Sequence, residues 1–196
     1  SCLTQMFALQ FYRLRNLIEC EKVSHLGIVV WTISNLCRGT PSPPTHVTAP
    51  VIFPFVKLLE QSIPDDVKVD ALWCLSYLSD GDEQKIAMVA ASGVAPKLVQ
   101  LLGNDDVKNK CKVPVVRTLG NFVAGSEDQT QVAIDAGILN HLARLLGSSS
   151  KMIRKEASWL TSNMAAGSRA QISMLMKKTK IISKIIKIAQ NDLWEV

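Results

Sequence analysis

WTISNLCRG (Trp31–Gly39), WCLSYLSDG (Trp73–Gly81), RTLGNFVAG (Arg117–Gly125) and WLTSNMAAG (Trp159–Gly167) are four versions of one nine-residue phrase. Each opens on a large side chain, carries Asn or Tyr four positions later and ends on Gly. Successive copies start 42, 44 and 42 residues apart. A second phrase keeps the same beat: FPFVKLL ends at Leu59, PKLVQLL at Leu102, HLARLL at Leu146 and SKIIKI at Ile188, in steps of 43, 44 and 42. Two unrelated phrases locked to one period are the signature of a repeat protein, and this period falls in the range of armadillo and HEAT units of two or three helices.

Within each unit the start and stop signals fit short helices. Val94 to Leu102 carries Pro96 near its first turn and stops at Gly103, and Ile138 to Leu146 stops at Gly147. The large-residue phrase sits on a longer third helix, read as 67–79, 112–124 and 153–166, closed by Gly81, Gly125 and Gly167. A short first helix follows, as in 82–91 and 127–136, with turns at Ser92-Gly93 and Ala136-Gly137. Pro114 belongs near the first turn of its helix or kinks it. No strand is expected. A single unit cannot bury its apolar face alone, so neighbours stack, and the third helices are expected to line up along one concave side.

That stacking would give the repeated phrase a chemistry. Positions i and i+4 share a helix face, which pairs Trp31 with Asn35, Trp73 with Tyr77, Arg117 with Asn121 and Trp159 with Asn163. Packed helices lie about 8–10 Å apart, and an extended peptide advances about 3.3 Å per residue, so neighbouring repeats meet a bound strand about every third residue. Asn offers a donor and an acceptor to a peptide backbone whatever its sequence. Trp offers an apolar wall for a lysine stem and a π-face for its ammonium. A lone Trp is more often core filler and a lone Asn a capped or bent position. A phased array reverses that preference, because buried Asn in every repeat is costly without partners.

Composition narrows the class. The 196 residues are 47% hydrophobic, 20% charged and 6% aromatic, a balance suited to helices filled with aliphatic side chains. The net charge of +5 is a weak pointer to nucleic acid, and much of the excess lies in Lys177, Lys178, Lys180, Lys184 and Lys187, read as a solvated helix face. Five single cysteines with no C-x-x-C pair read as reduced, buried thiols of the cytosol or nucleus. No apolar run is long enough to span a bilayer, and residues 1–15 lack the order of a signal peptide. His25, His46 and His141 are not spaced with Cys, Asp or Glu as a metal site requires. No nucleophile elbow, P-loop or dinucleotide fingerprint occurs. The expectation is a protein with no cofactor, no metal and no enzymatic activity.

WTISNLCRGTPSPP (31–44), ALWCLSYLSDG (71–81), RTLGNFVAGSEDQTQVAIDAG (117–137) and RKEASWLTSNMAAG (154–167) resemble the importin-α family in order and wording, nearest the plant-type members, over about 30–189. The resemblance implies an all-α, right-handed armadillo solenoid running from the end of the fourth repeat through most of the seventh, with an inner groove that binds nuclear localisation signals. It implies that Trp31 and Asn35 close the major site, flanked by Asp70. Trp159 and Asn163 would open the minor site, helped by Glu156, Ser162 and Thr130. Trp73, Tyr77, Arg117 and Asn121 correspond to the interrupted middle. Asp70, Asp80, Glu127 and Glu156 lie on or beside third helices, where each is either a ligand-pairing carboxylate or an ordinary helix-surface acid. For Arg117 an ion pair with Glu156, holding adjacent repeats in register, is favoured over ligand contact. The implied partners are cargo proteins bearing such signals, in cytoplasm and nucleus, with no membrane and no nucleic acid.

The chain also departs from the family. Residues 1–30 match poorly and are set apart from the repeats of 31–196, although Leu14-Arg15-Asn16 resembles the family's Leu-Arg-Asn ahead of the fourth-repeat Trp. No basic arm precedes the repeats, so importin-β is a partner only if such an arm lies outside this chain. Ala124 stands where the family carries Thr, and Trp194 falls out of phase. Missing caps at both ends point to a truncated or divergent member. Two other readings stay open: an armadillo scaffold for other partners, and a remnant that binds little.

Overall fold

The computed structural model describes residues 2–18, 23–39 and 42–191. Every regular element among them is helical, in a three-helix armadillo arrangement. Two compact units, 1–94 and 95–196, divide the contacts.

The first unit contains α1 (Cys2–Ile18), α2 (Val23–Cys37), α3 (Thr45–Leu58), α4 (Asp65–Leu78) and α5 (Glu83–Ala91). Two third helices, α2 and α4, pack against each other, while α1 packs on α3 and α2. Helix α2 begins eight residues before Trp31, and Phe11, Val29, Val30 and Ile33 are buried with Phe55, Leu58, Leu72 and Leu75. Within residues 1–30, set apart in the sequence reading, α1 and the first half of α2 contribute to this core. Helix α3 carries Pro50 and Pro54 inside it, and both lack a donor for the preceding turn. The buried row Val47, Val51, Phe55 and Leu58 holds that helix in place by packing.

The second unit contains α6 (Ala95–Gly103), α7 (Asn109–Val123), α8 (Glu127–Asp135), α9 (Leu139–Leu146), α10 (Lys151–Ala165), α11 (Arg169–Met176) and α12 (Thr179–Asn191). Its centre is the pair α7 and α10. Ile153, Ala157, Leu160 and Met164 recur at steps of four, three and four and are all buried, the spacing that turns one helical stripe inward. Leu119 and Phe122 on α7, Leu98 and Leu102 on α6, and Ile138 and Leu142 beside and on α9 complete the core. Each such side chain contributes about 1.5–3 kcal/mol on burial. Helix α7 starts three residues earlier than the sequence reading placed it, so Pro114 lies in its second turn. Helix α12 packs on α9, and Lys178 Nζ donates to Asn140 Oδ1 at 3.0 Å. Trp194 and Cys20 lie outside the described residues.

The link from each short first helix to the next needs one left-handed residue. Gly93 has φ 76° and Gly137 φ 96°, 44 positions apart, where an L side chain is strained. A Cβ on Gly137 would meet only ordinary contacts, the nearest being Asn140 Nδ2 at 3.6 Å. Gly137→Ala should therefore cost about 1–2 kcal/mol from backbone strain alone, read as a lowered denaturation midpoint with an unchanged m-value. A neutral result would show that the turn relaxes freely.

Candidate functional site

In the second unit, α10 lies so close to α7 that the Trp159 ring rests on the Gly120 backbone. A Cβ built on Gly120 would fall 2.6 Å and 2.8 Å from two carbons of that ring. One face of the indole is thereby fixed, while 39% of the residue stays exposed. Above the ring sits the Arg117 guanidinium, 5.7 Å from its centroid, at the distance of a cation–π contact.

Arg117 is itself tied down. Its Nε donates to Glu156 Oε2 at 2.6 Å and its Nη2 to Glu156 Oε1 at 2.5 Å, a two-pronged bridge from α7 to α10. The Glu156 side chain is 3% exposed and the Arg117 side chain 39%. This is the ion pair favoured for Arg117 in the sequence reading. It changes the expectation for Glu156: a carboxylate with both oxygens committed, and shut off from solvent, does not face a ligand ammonium.

Next to this seat lies a cleft of about 350 Å³, lined among others by Val123, Ala124, Glu127, Thr130, Asn163 and Gln171. It brings together three residues singled out from the sequence, Glu127, Thr130 and Asn163. Glu127 is exposed at the lip. Thr130 is 3% exposed, and its hydroxyl has Val123 O at 3.5 Å, a long contact. Asn163 is half-buried, and its Nδ2 is a buried donor that meets no acceptor among the described residues.

Two helix starts shape the cleft. Ser126 opens α8 with a capping box: its hydroxyl accepts from Gln129 N, and Gln129 Oε1 accepts from Ser126 N at 3.1 Å. Ser168 and Gln171 repeat the phrase 42 residues on, where Gln171 Oε1 accepts from Ser168 N at 3.2 Å. The Gln171 amide, wholly buried, donates back to Glu127 O at 2.9 Å and so ties α11 to the start of α8. Gly120 and Gln171 were not singled out from sequence. The S-x-x-Q phrase at both 126 and 168 was the legible signal for the second, and the first had none.

Two candidates stand apart. Ser162 lines a separate, mostly apolar cleft of about 500 Å³ with Thr161, Ala165, Ile172, Leu175 and Ile185, away from Asn163. Adjacent helix positions point about 100° apart, so Ser162 and Asn163 serve different faces. Asn121 is 4% exposed and engaged inside the protein, because α7 is packed between α6, α8 and α10.

In the first unit, Trp31 is the most open of the described indoles, at 58%, and Asn35 is half-buried. Trp73 and Tyr77 on α4 stack on each other, centroids 5.8 Å apart and planes 21° from parallel. They form one half-buried aromatic pair in place of a Trp and an amide. Asp70, one turn earlier on α4, is half-buried.

Removing Arg117 leaves a buried carboxylate without its counter-charge. Arg117→Ala should cost about 3 kcal/mol, whereas Arg117→Met combined with Glu156→Leu should recover most of the loss. Equal destabilisation by the single and double variants, measured by chemical denaturation, would show that packing rather than charge is lost. Gly120→Ala should cost about 1–3 kcal/mol by overpacking and should shift indole emission as the ring is displaced.

Known proteins share this repeat architecture. The model of the armadillo/beta-catenin-like repeat family matches residues 126–166, a span that includes Glu127, Thr130, Glu156, Trp159 and Asn163. Importin subunit alpha-1a of Oryza sativa subsp. japonica is 42% identical over 164 residues, covering 83% of this chain and 31% of its own length. Importin subunit alpha-3 of Arabidopsis thaliana is 43% identical over 142 residues, 72% of this chain and 26% of its own. A solved structure of a designed armadillo repeat protein in complex with the peptide (KR)4 is 25% identical, with a TM-score of 0.81 over 92% of this chain and 74% of that one. The chain spans about a third of the length of the curated relatives it matches. It is an armadillo-repeat protein whose sequence matches importin-α subunits over most of its own length.

Proposed function

We propose that the second unit binds an extended, lysine-rich peptide at Trp159, Asn163 and the cleft beside them, in the manner of a nuclear import adapter. The observation that carries this reading is the part-exposed Trp159 ring held against Gly120, one helical turn before Asn163, which lines a cleft with carboxylate, hydroxyl and amide groups. A lysine stem packs along the open part of the indole, and its ammonium finds Glu127 at the lip and the Thr130 hydroxyl and Val123 carbonyl inside. The unspent Asn163 donor is a standing cost. A rotation about χ2 that brings it outward lets it donate to a peptide carbonyl, while Oδ1 accepts from a peptide N–H.

Charge at the seat supports the same ligand. Arg117 faces the ring, and an unpaired cation there would repel a lysine. Glu156 neutralises it at hydrogen-bond distance, so the net charge met by the ligand comes from Glu127. Arg117, Asn121 and Glu156 then position the indole and touch no ligand.

In the first unit the open Trp31 and Asn35, with Trp73, Tyr77 and Asp70 on α4, offer a second surface for the same class of peptide. By this reading the chain is an adapter and not an enzyme. Its partners are cargo proteins bearing basic localisation signals, its compartments are cytoplasm and nucleus, and importin-β joins only through a basic arm. The relatives' names as importin subunits, and the (KR)4 peptide held by the designed armadillo protein, support this choice over an armadillo scaffold for other partners.

Titration of a fluorescently labelled, lysine-rich peptide at physiological salt should give micromolar or weaker binding, with 1 μM corresponding to about −8 kcal/mol. Trp159→Ala should weaken it at least tenfold, and a matched glutamate-rich peptide should not bind. Equal affinity for the wild type and Trp159→Ala would remove the pocket assignment.

A further inference from the structure

Cys37 ends α2, and Cys74 lies one turn before the end of α4, the helix packed against it. Their sulfurs touch: the Cys74 thiol donates to Cys37 Sγ at 3.8 Å. Both are free thiols, 4% and 0% exposed. Nothing in the peptide-binding surface uses them.

A disulfide needs its sulfurs about 2.05 Å apart, so this pair must approach by only about 1.8 Å. Rotation about the two Cα–Cβ bonds and a shift between the packed helices are the motions that close this gap. The contact also gives each sulfur a very high effective concentration of the other, the condition that favours an intramolecular bridge over a mixed one.

We infer that Cys37 and Cys74 are a dithiol site that a small-molecule disulfide, of the glutathione type, converts into a bridge between α2 and α4. The exchange balances in two steps. The Cys37 thiolate attacks one sulfur of the small disulfide, breaking its S–S bond and releasing one small thiolate. The Cys74 thiolate then attacks Cys37 Sγ, forming the protein disulfide and releasing the second. The two protons lost by the cysteines end on the two small thiols, and the two electrons have passed to the small disulfide. Cys37 goes first because it is at a helix end, where one frayed turn exposes it. Cys74 waits for that opening.

Burial, reinforced by the hydrogen bond it donates to Cys37 and by the closeness of that thiol, pushes the Cys74 thiol well above its ordinary acidity range. The thiolate, which is the attacking species, is therefore scarce, and exchange is slow compared with that of an exposed sensor cysteine. The bridge acts as a slow staple. It fixes the spacing of the helices that carry Trp31 and Asn35 on one side and Trp73 and Tyr77 on the other. This holds whether or not the chain binds a basic peptide.

The test is incubation of the folded, full chain with oxidised glutathione, quenching with acid, and peptide mapping without reduction. The expected product is a Cys37–Cys74 linked peptide, with the intact chain lighter by two hydrogens, reversed by dithiothreitol. The oxidised monomer should melt several degrees higher. Cys111→Ser should form the same link, and Cys37→Ser should not. Two results would overturn the site: both thiols still free under conditions that oxidise the chain in urea, or a glutathione adduct that persists on Cys37 without resolving.

Discussion

A single missing side chain sets the geometry of the second unit. Helices packed face to face usually keep about 8–10 Å between their axes because Cβ atoms intervene. At Gly120 there is none, and the Trp159 ring occupies the place where one would stand. The same contact stops the indole from swinging and leaves part of it open. An aromatic wall that is already ordered costs a ligand little entropy on binding. Bulk at Gly120 would therefore cost twice, once in the packing of α7 on α10 and once in the position of the wall.

The ion pair follows from the same closeness. Trp opens the repeated phrase at 31, 73 and 159, but Arg opens it at 117. A second indole in that place would stack on the first. The guanidinium lies over the ring instead and reaches down to Glu156, whose buried oxygens need its two parallel donors. The pair contributes registry more than raw stability, since a buried pair gains little over apolar residues of equal size. Its electrostatic consequence is neutrality, and in the proposed function Glu127 at the lip then sets the sign of the ligand.

Much of the architecture was readable beforehand because repetition makes errors cancel. Two phrases with one period place third and second helices to within three residues, and Gly93 and Gly137 appear where the links turn left-handed. The first thirty residues read only as a divergent, partly helical segment, for the converse reason. Helix α1 and the start of α2 pack as repeat helices, yet they lack the phrase, and burial of Phe11 and Val30 leaves no periodic mark of its own. At the site, Arg117 with Glu156 was legible as opposite charges a repeat apart. The exclusion of Glu156 and Asn121 from solvent was not, because it depends on how tightly α7 is enclosed. The separation of Ser162 from Asn163 needed only helical geometry, but family resemblance had grouped them. Gly120 was invisible, since its importance lies in an atom it lacks.

The most direct test of this account is a double-mutant cycle on peptide affinity between Gly120→Ala and Trp159→Ala. If the seated indole is what grips the lysine stem, Gly120→Ala weakens binding in the wild-type background and adds nothing once Trp159 is gone. Losses that simply add would mean that the two residues act separately, and that the indole on Gly120 is not the binding wall.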